Sequence, residues 1–386
     1  MGEKLKIGIT CYPTFGGSGV VATEIGMAMA QRGHRVHFIC YDVPRRLNRF
    51  SQNIFFHEVE VHDNPLFDFP PYSLALSSKM VEVAQYEDLD IFHVHYAVPH
   101  ATSAYLAKQI LNAKAPKIIT TLHGTDITLV GNERSYLPIT RFSILESDGV
   151  TVPSHFLKNA TYDKLNVPTA TDIRIIPNFI DSEQFSPGDA ESKEKFRQSL
   201  GHCPVKGRIL VHVSNFRPVK RIDDVIRVFE KVTKQIDSHL VLVGDGPERS
   251  KIEALVRDLN LQNKVCFLGK QQLTQEIVRN CDLFLLPSSN ESFGLAALEA
   301  LSTGVPVIGS NAEGIPEVVK HAEVGYLADI GDVETMASYA VKLLSNHKEY
   351  DRMSKAAREY AIAEYSKDKL IDQYESYYYE ILKEKA

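Results

Sequence analysis

Four short segments of this sequence place glycine, cationic or carboxylate residues directly after apolar runs that are typical of buried strands. The first, Thr14–Gly19 (TFGGSG), precedes a helical pattern. Its glycines let backbone N–H groups approach a ligand closely, and a helix N-terminus favours negative charge. The spacing differs from the dinucleotide fingerprint G-x-G-x-x-G. The loop therefore predicts a phosphate or carboxylate site, or else a tight turn without a ligand.

The second segment, His123-Gly124-Thr125-Asp126, follows the apolar run Ile118–Leu122. Ligands of parallel sheets collect beyond the carboxyl ends of the strands, so these polar residues are candidates for contacting a polar substrate. Thr125 or Asp126 could equally cap the start of a helix. The segment alone leaves both interpretations open.

The third segment, residues 214–221 (SNFRPVKR), clusters the cations Arg217, Lys220 and Arg221 between a strand and a helix. Arginine binds phosphate through two parallel hydrogen bonds, whereas lysine acts as a point charge. A run of charges is often only a solvated surface. The position at a strand end favours phosphate binding here.

The fourth segment runs from Glu291 to Glu299 (ESFGLAALE). Gly294 and Leu295 would offer free N–H groups at a helix start, a second seat for an anion. Glu299 could accept both hydroxyls of a ribose, and Glu291 could accept a sugar hydroxyl. Both could also be ordinary surface glutamates. The rest of that helix is apolar and small, so we expect its carboxylate to have a polar partner.

The elements that position these segments alternate between strand and helix, which predicts α/β domains with a parallel sheet covered on both faces. The predicted helices are Val20–Arg32, Asp223–Gln235 and Ile252–Leu259. The predicted strands are Lys6–Cys11, Val36–Tyr41, Ile91–His95, Ile118–Leu122, Gly149–Val152, Arg174–Ile176, Arg208–Ser214, His239–Val243, Val265–Leu268, Leu283–Leu286 and Val305–Gly309. The pattern restarts after residue 180.

A chain of 386 residues is too long for one compact core, so two domains are expected. The boundaries predicted are 1–180 and 181–365. Residues 366–386 form a polar helical pattern that is expected to pack back on the first domain. Its tyrosines are predicted to pack against a surface rather than to form a site: Tyr374, Tyr377 and Tyr378.

Composition excludes several classes of protein. The chain is 44% hydrophobic and 24% charged with a net charge of −6, which is ordinary for a globular protein and unlike disordered or fibrous chains. Neither half has the basic excess that nucleic acids or anionic membranes require. No apolar run approaches the ~20 residues of a membrane span. We expect no nucleic-acid partner and no integral membrane contact.

The cysteines and histidines do not predict a metal centre. His93 and His95 share one face of a strand, but no third ligand is near them in sequence. The five cysteines are scattered without a C-x-x-C pair, which predicts free thiols in a reducing cytoplasm. They are Cys11, Cys40, Cys203, Cys266 and Cys281.

Taken together, the four segments resemble family 4 of the retaining glycosyltransferases, which have the GT-B fold. The most specific mark is the E-x7-E element from Glu291 to Glu299, and the resemblance covers essentially the whole chain. Other segments fall in family order: Gly16-Gly17, the His123 and Lys220 segments, and the turn Gly244–Pro247. The resemblance implies two Rossmann-like, doubly wound domains facing a central cleft.

The resemblance also implies roles for individual residues. Lys220 and Arg217 should hold the donor diphosphate, although the family often has its arginine at the place of Asn215. Glu291 should contact the donor sugar, and His123 should lie beside the reacting sugar. The remaining implied donor contacts are Gly17, Phe293, Gly294, Leu295 and Glu299, with Cys266–Gly269 along the uracil.

Residues 9–26 and 121–131 resemble more closely the members that transfer N-acetylglucosamine from UDP-GlcNAc to L-malate, the first step of bacillithiol synthesis. The candidates for donating hydrogen bonds to the acceptor are Ser18, Tyr96 and Thr121, which lie at strand or helix ends. The expected enzyme is cytoplasmic and homo-oligomeric, and it needs no metal. Alternatives are a family 4 enzyme with a sugar, sugar-phosphate or lipid acceptor, a UDP-GlcNAc epimerase, or a nucleotide-sugar sensor.

Retention of the anomeric configuration allows two mechanisms. In same-face attack the leaving phosphate accepts the proton of the acceptor. A double displacement would need a carboxylate beside the anomeric carbon. Asp126 is the candidate nucleophile for that route, and the sequence leaves both mechanisms open.

Overall fold

The computed structural model describes residues 3–14, 17–44, 46–47, 51–62, 65–200 and 207–383. The chain divides into two compact units, each with its own sheet. Unit 1 consists of Met1–Asn178 and Asp368–Ala386, and unit 2 of Phe179–Lys367. Among the described residues, no helix combines the length and apolar composition that crossing a bilayer requires.

Unit 1 is built on a seven-stranded parallel sheet in the order β3-β2-β1-β4-β5-β6-β7. Its strands are β1 (Lys6–Thr10), β2 (Arg35–Cys40), β3 (Ile54–Glu58), β4 (Ile91–His95), β5 (Lys117–Thr121), β6 (Gly149–Val152) and β7 (Arg174–Ile175). Its helices are α1 (Gly17–Gln31), α2 (Tyr72–Glu87), α3 (Thr102–Leu111), α4 (Leu137–Leu145), α5 (His155–Leu165) and, from the end of the chain, α14 (Lys367–Lys383).

Unit 2 is built on a six-stranded parallel sheet in the order β10-β9-β8-β11-β12-β13. Its strands are β8 (Arg208–Val213), β9 (Ser238–Val243), β10 (Val265–Gly269), β11 (Leu283–Leu286), β12 (Val307–Ser310) and β13 (Gly325–Ala328). Its helices are α6 (Ala190–Ser199), α7 (Ile222–Thr233), α8 (Arg249–Asp258), α9 (Gln275–Val278), α10 (Leu295–Ser302), α11 (Ile315–Val318), α12 (Val333–Ser345) and α13 (His347–Tyr365).

The predicted α/β class, with two Rossmann-like domains, is confirmed. Strand β11 is buried along its whole length, which explains why its sequence, LFLL, is a continuous apolar run. In each unit the first strand lies beside the fourth: β1 beside β4, and β8 beside β11. Connections leave these neighbouring strands in opposite directions, so ligands bind beyond their carboxyl ends.

Helix α14 supplies part of the core of unit 1. Tyr374, Tyr377 and Tyr378 are buried. The hydroxyl of Tyr377 accepts the backbone N–H of Val150 in β6, at 3.2 Å. The tyrosines thus pack on the sheet, as their helical spacing predicts.

Several details differ from the sequence prediction. Strands β3 and β13 were not predicted; β3 is only partly buried, whereas β13 is buried along its four residues. Helix α1 begins at Gly17, three residues before the predicted start. The prediction of free thiols is wrong at Cys266, which is disulfide-bonded. The cysteines Cys11, Cys40 and Cys281 are free and buried, and Cys203 lies outside the described residues.

Candidate active site

In unit 1, the residues that follow β1 and β4 meet at the point where the strand order reverses. Tyr96 follows β4 directly and donates its hydroxyl hydrogen to Oγ of Ser18 in α1, 2.8 Å away. Burial raises the pKa of Tyr96 to about 12, so the phenol keeps its proton at neutral pH. Tyr96 also has φ of +84°, a conformation that costs energy for a residue other than glycine and recurs at functional sites. The structure brings these two predicted acceptor residues together.

The glycine loop before α1 requires a close backbone approach. A Cβ atom at Gly19 would lie 2.6 Å from the carbonyl oxygen of Tyr12. Only glycine fits there, so the turn into the helix depends on it. Gly17 is the first residue of α1. Gly16, which the resemblance also involves, lies outside the described residues.

His123 lies just beyond the carboxyl end of β5, next to another histidine. Its Nε2 is 2.8 Å from Nδ1 of His95, the last residue of β4. Burial lowers the pKa of His123 to about 3, and His100 nearby lowers it further. The ring is therefore neutral at physiological pH. It can donate and accept hydrogen bonds but does not carry an extra proton.

Asp126 holds the His123 loop in place. Its carboxylate accepts the backbone N–H groups of Ala97, His123 and Gly124, at 3.2, 3.1 and 3.0 Å. Burial raises the pKa of Asp126 to about 6, while these hydrogen bonds act in the opposite direction. Its carboxylate oxygens thus face backbone N–H groups of its own loop and of the turn after β4.

Thr121 does not have the environment predicted for an acceptor residue. It is buried, and its hydroxyl lies 2.7 Å from Nε2 of His93 and 2.6 Å from the hydroxyl of Thr151. Side chains of a strand alternate between its two faces, and Thr121 points to the face that α14 covers. Its hydroxyl is thus engaged inside the unit, and the acceptor contact of Thr121 stays a prediction.

In unit 2, Lys220 and Glu291 form an ion pair at the corresponding switch point. Lys220 ends a 3-10 turn after β8, and Glu291 lies in the loop after β11. The lysine Nζ is 2.5 Å from Oε1 of Glu291, and both side chains are largely buried. The structure thus brings together a cation and a carboxylate that are 71 residues apart.

The loop that carries Lys220 is supported by the turn Gly244–Pro247. The N–H of Phe216 donates to the carbonyl of Asp245, and the N–H of Glu248 donates to the carbonyl of Phe216, both at 2.9 Å. Phe216 is fully buried, which anchors the loop in the core. Its neighbours Asn215 and Arg217 are exposed. Within the described part of the chain, Arg217 makes no ion pair, so its guanidinium is available for an anion.

The start of α10 has backbone N–H groups at the predicted positions Gly294 and Leu295, whereas the side chain of Phe293 is buried. Gly294 precedes the helix with φ of +96°, a conformation that favours glycine. Phe293 is buried in the core, where its ring contacts Tyr365 edge-on at 5.7 Å. The ring is thus occupied by packing, and the donor contact of Phe293 stays a prediction that its backbone would have to meet. Glu299 is partly exposed in the second turn of α10.

Sequence reasoning missed Glu313, which holds the Glu291 loop. Its Oε2 accepts the backbone N–H of Glu291 at 2.8 Å, and its Oε1 accepts the side-chain N–H of Asn290 at 3.1 Å. Glu313 follows β12, the next strand along the sheet. Glu313 could have been identified from the sequence, because it is an acidic residue that follows a predicted strand, as Glu291 does.

One group of described side chains has the composition of metal ligands, and it lies away from the switch points. His37, His57 and Glu87 bring their potential ligand atoms within 4.8 Å of one another. The guanidinium of Arg35 lies 2.9 Å from the carboxylate of Glu87. That positive charge competes with a metal ion for the carboxylate.

Models of glycosyltransferase families match both halves of the chain. The family model described as Glycosyltransferase Family 4 matches residues 15–184. The model described as Glycosyl transferases group 1 matches residues 192–360. A Bacillus anthracis protein named N-acetyl-alpha-D-glucosaminyl L-malate synthase is 48% identical over 382 residues, which cover 99% of this chain and 98% of the relative.

Solved structures show the same fold at lower identity. A glycosyltransferase from Rickettsia africae has a TM-score of 0.81 at 21% identity and covers 99% of this chain and 100% of its own. Anabaena HepE in complex with UDP and glucose has a TM-score of 0.80 at 18% identity and covers 97% and 99%. At such identities the likeness concerns the fold.

Proposed function

We propose, from the fact that this chain belongs to family 4 of the glycosyltransferases, that it transfers N-acetylglucosamine from UDP-GlcNAc to the hydroxyl of L-malate. The products would be GlcNAc-malate and UDP, in the first step of bacillithiol synthesis. The observation that carries this proposal is the 48% identity to the Bacillus anthracis synthase over nearly the whole of both chains.

The cations of unit 2 are proposed to stabilise the departing UDP. Negative charge grows on the diphosphate as the glycosidic bond breaks, and fixed donors stabilise it where it grows. Lys220 and Arg217 supply positive charge, and the N–H groups at Gly294 and Leu295 supply a helix start. These groups supply the charge that a divalent ion would otherwise bring, so we propose a metal-independent reaction. The Anabaena protein, which has this fold, was solved in complex with UDP and glucose, and that complex supports a uridine nucleotide as donor.

Same-face attack is the retaining mechanism that the surroundings of Asp126 favour. The candidate nucleophile is buried and accepts three backbone N–H groups, two from its own loop and one from the turn after β4. Using it as a nucleophile would leave those donors unpaired, which is costly in a buried loop. We therefore propose that the leaving phosphate accepts the proton of the malate hydroxyl, and that neutral His123 orients the sugar by a hydrogen bond.

The acceptor is proposed to bind near the Ser18–Tyr96 pair. The pair lies at the first turn of α1, whose N-terminal N–H groups favour a carboxylate. Tyr96 stays protonated and can act as a hydrogen-bond donor. A small dicarboxylate such as malate matches both features.

The cellular context is also proposed. We place the reaction in the cytoplasm, which the free thiols of Cys11, Cys40 and Cys281 support and the disulfide of Cys266 does not. The expectation of a homo-oligomer stays a prediction, which sedimentation of the purified chain would check.

A donor-by-acceptor matrix with product masses tests the proposed function. We expect UDP-GlcNAc with L-malate to yield UDP and GlcNAc-malate, with the same rate in EDTA. Turnover with a sugar, sugar phosphate or lipid but not with malate would replace the acceptor. Consumption of UDP-GlcNAc without any acceptor would indicate an epimerase, and UDP binding without turnover a sensor. Loss of activity in EDTA would contradict the metal-independent reaction.

Replacing Glu299 by alanine is expected to raise the dissociation constant of UDP by roughly 10- to 100-fold, because a charged acceptor of the ribose hydroxyls is lost. Isothermal titration with UDP measures the effect. Glu359→Ala is the matched control, since Glu359 pairs with Lys355 at 3.8 Å on the surface of the same unit. Unchanged UDP affinity in Glu299→Ala would remove the ribose role.

A further inference from the structure

The ring of His95, which lies beside His123, is fully buried in unit 1. His95 ends β4. Its ring contacts two other imidazoles, with centroids 4.6 Å from His93 and 5.0 Å from His123. His93 is itself held at both nitrogens, by the hydroxyl of Tyr378 at 2.6 Å and that of Thr121 at 2.7 Å. The position of the His95 ring is therefore determined by rigid neighbours.

His95 and His123 form a hydrogen bond in which one ring nitrogen carries the shared proton and the other accepts it. Nδ1 of His95 and Nε2 of His123 are 2.8 Å apart, so one ring must donate and the other accept. Burial lowers the pKa of both rings, to about 3 for His123 and well below the usual value for His95. Each ring is therefore neutral and carries a single N–H.

The second nitrogen of His95 distinguishes the two arrangements. Among the described residues, Nε2 of His95 is buried without a hydrogen-bond partner. If His123 donated, the proton of His95 would lie on that nitrogen as an orphaned buried N–H, which native proteins rarely tolerate. If His95 donates through Nδ1, only an unprotonated nitrogen is left without a partner.

We propose that His95 is a positioning residue that donates Nδ1–H to Nε2 of His123 and thereby places the single proton of His123 on Nδ1. A ligand that meets Nδ1 of His123 then meets a hydrogen-bond donor in a defined orientation. His95 does not touch the substrate in this role. The contribution to catalysis rests on the proposed glycosyl transfer, whereas the position of the proton does not.

Replacing His95 by asparagine or by aspartate, which have nearly the same shape, distinguishes donation of a hydrogen bond to His123 from packing alone. Asparagine at position 95 can place an amide N–H near the position of Nδ1 and donate to His123. An ionised aspartate can only accept, so it would draw the proton of His123 to Nε2. We expect His95→Asn to keep kcat within about 5-fold of the wild type. We expect His95→Asp and His95→Leu to lose roughly 10- to 100-fold in kcat, with the acceptor KM little changed, because orientation and not binding is lost.

A second histidine pair in the same sheet supplies the control. Nδ1 of His37 lies 3.0 Å from Nε2 of His57, and Nε2 of His37 is also buried without a hydrogen-bond partner among the described residues, with the Glu87 carboxylate 3.9 Å away. This pair lies away from the switch point. His37→Asn should change stability as His95→Asn does, while kcat stays at the wild-type value.

The decisive readout is the protonation of the His123 ring itself. Nitrogen NMR of the full chain labelled with ¹⁵N-histidine distinguishes a protonated from an unprotonated ring nitrogen, and His123→Asn assigns the signals. We expect the proton on Nδ1 in the wild type and in His95→Asn, and on Nε2 in His95→Asp. A proton on Nε2 in the wild type, or equal kcat in His95→Asp and His95→Asn, would overturn the proposal. The spectrum needs no substrate, so failure of the proposed malate transfer is seen separately.

Discussion

Replacing Lys220 by alanine is expected to lower kcat for glycosyl transfer by roughly 10²- to 10³-fold, as for the loss of one preorganised donor at a site of developing charge. In the structure, Lys220 neutralises Glu291 at 2.5 Å in a largely buried position. Without the lysine, the carboxylate would face the departing diphosphate, and like charges would repel each other. Steady-state kinetics with UDP release as the signal measure the loss.

Lys231→Ala is the matched control for this variant. Lys231 lies on α7, directly after the Lys220 turn, and pairs with Glu334 at 2.6 Å on the surface. Surface ion pairs contribute little, so activity and stability should stay near the wild-type values. A Lys220→Ala enzyme that retains more than about a tenth of kcat would contradict the role of Lys220 in stabilising the leaving group.

Lowering the pH from 7 to 5 is expected to unfold unit 1. Burial lowers the pKa of seven of its histidines. The lowering is strongest in five of them, where the pKa is about 3 or 4 in four and well below the usual value in His95. The unfolded chain binds protons below pH 6.5, whereas the folded chain does not. Their contribution to stability is therefore complete above 6.5 and is lost as the pH falls towards 3. The five are His37, His93, His95, His100 and His123.

The expected size of this effect is large. Each such group costs about 1.4 kcal/mol per pH unit below 6.5, so the free energy of unfolding should fall by as much as about 7 kcal/mol at pH 5.5. Whole domains are stable by only about 5–15 kcal/mol. Asp126, with its pKa raised to about 6, opposes the change, by only about 1 kcal/mol at that pH.

Denaturant unfolding from pH 7 to 5 checks the acid effect, and hydrogen exchange of peptides from β4 and β9 assigns it to a unit. In unit 2, His212 has a pKa lowered to about 4, so β9 should stay protected to lower pH than β4. His37→Asn removes one of the groups and should make the pH slope shallower by one proton. A free energy of unfolding that does not change between pH 7 and 5 would refute the expectation.

Much of the fold follows from patterns that lie close together in sequence. The runs Ile91–His95, Gly149–Val152 and Leu283–Leu286 were predicted as strands with the bounds that the structure has. Strands buried on both faces are mostly apolar, so a window of four or five residues suffices to find them. The candidate residues Lys220 and Glu291 were found in the same way, because each follows such a run.

Which residues of a candidate segment the core covers could not be predicted in that way. Thr121 and His123 are two residues apart, yet the hydroxyl of Thr121 is buried under α14 while His123 lies beyond the strand end. Phe293 stands between two candidate site residues and packs in the core. In both cases the covering element, α14 or α13, comes from much later in the chain.

The amino-acid sequence by itself determined the two α/β units and the loops that carry charge, because burial of the strands requires apolar runs and leaves the chemistry to the residues after them. Only the tertiary structure decided the hydrogen-bond partner of each polar group. His93 and Tyr378 are 285 residues apart, and Lys220 and Glu291 are 71 apart. A buried polar group must be satisfied by whatever the packing brings within about 3 Å, and no local pattern records that neighbour.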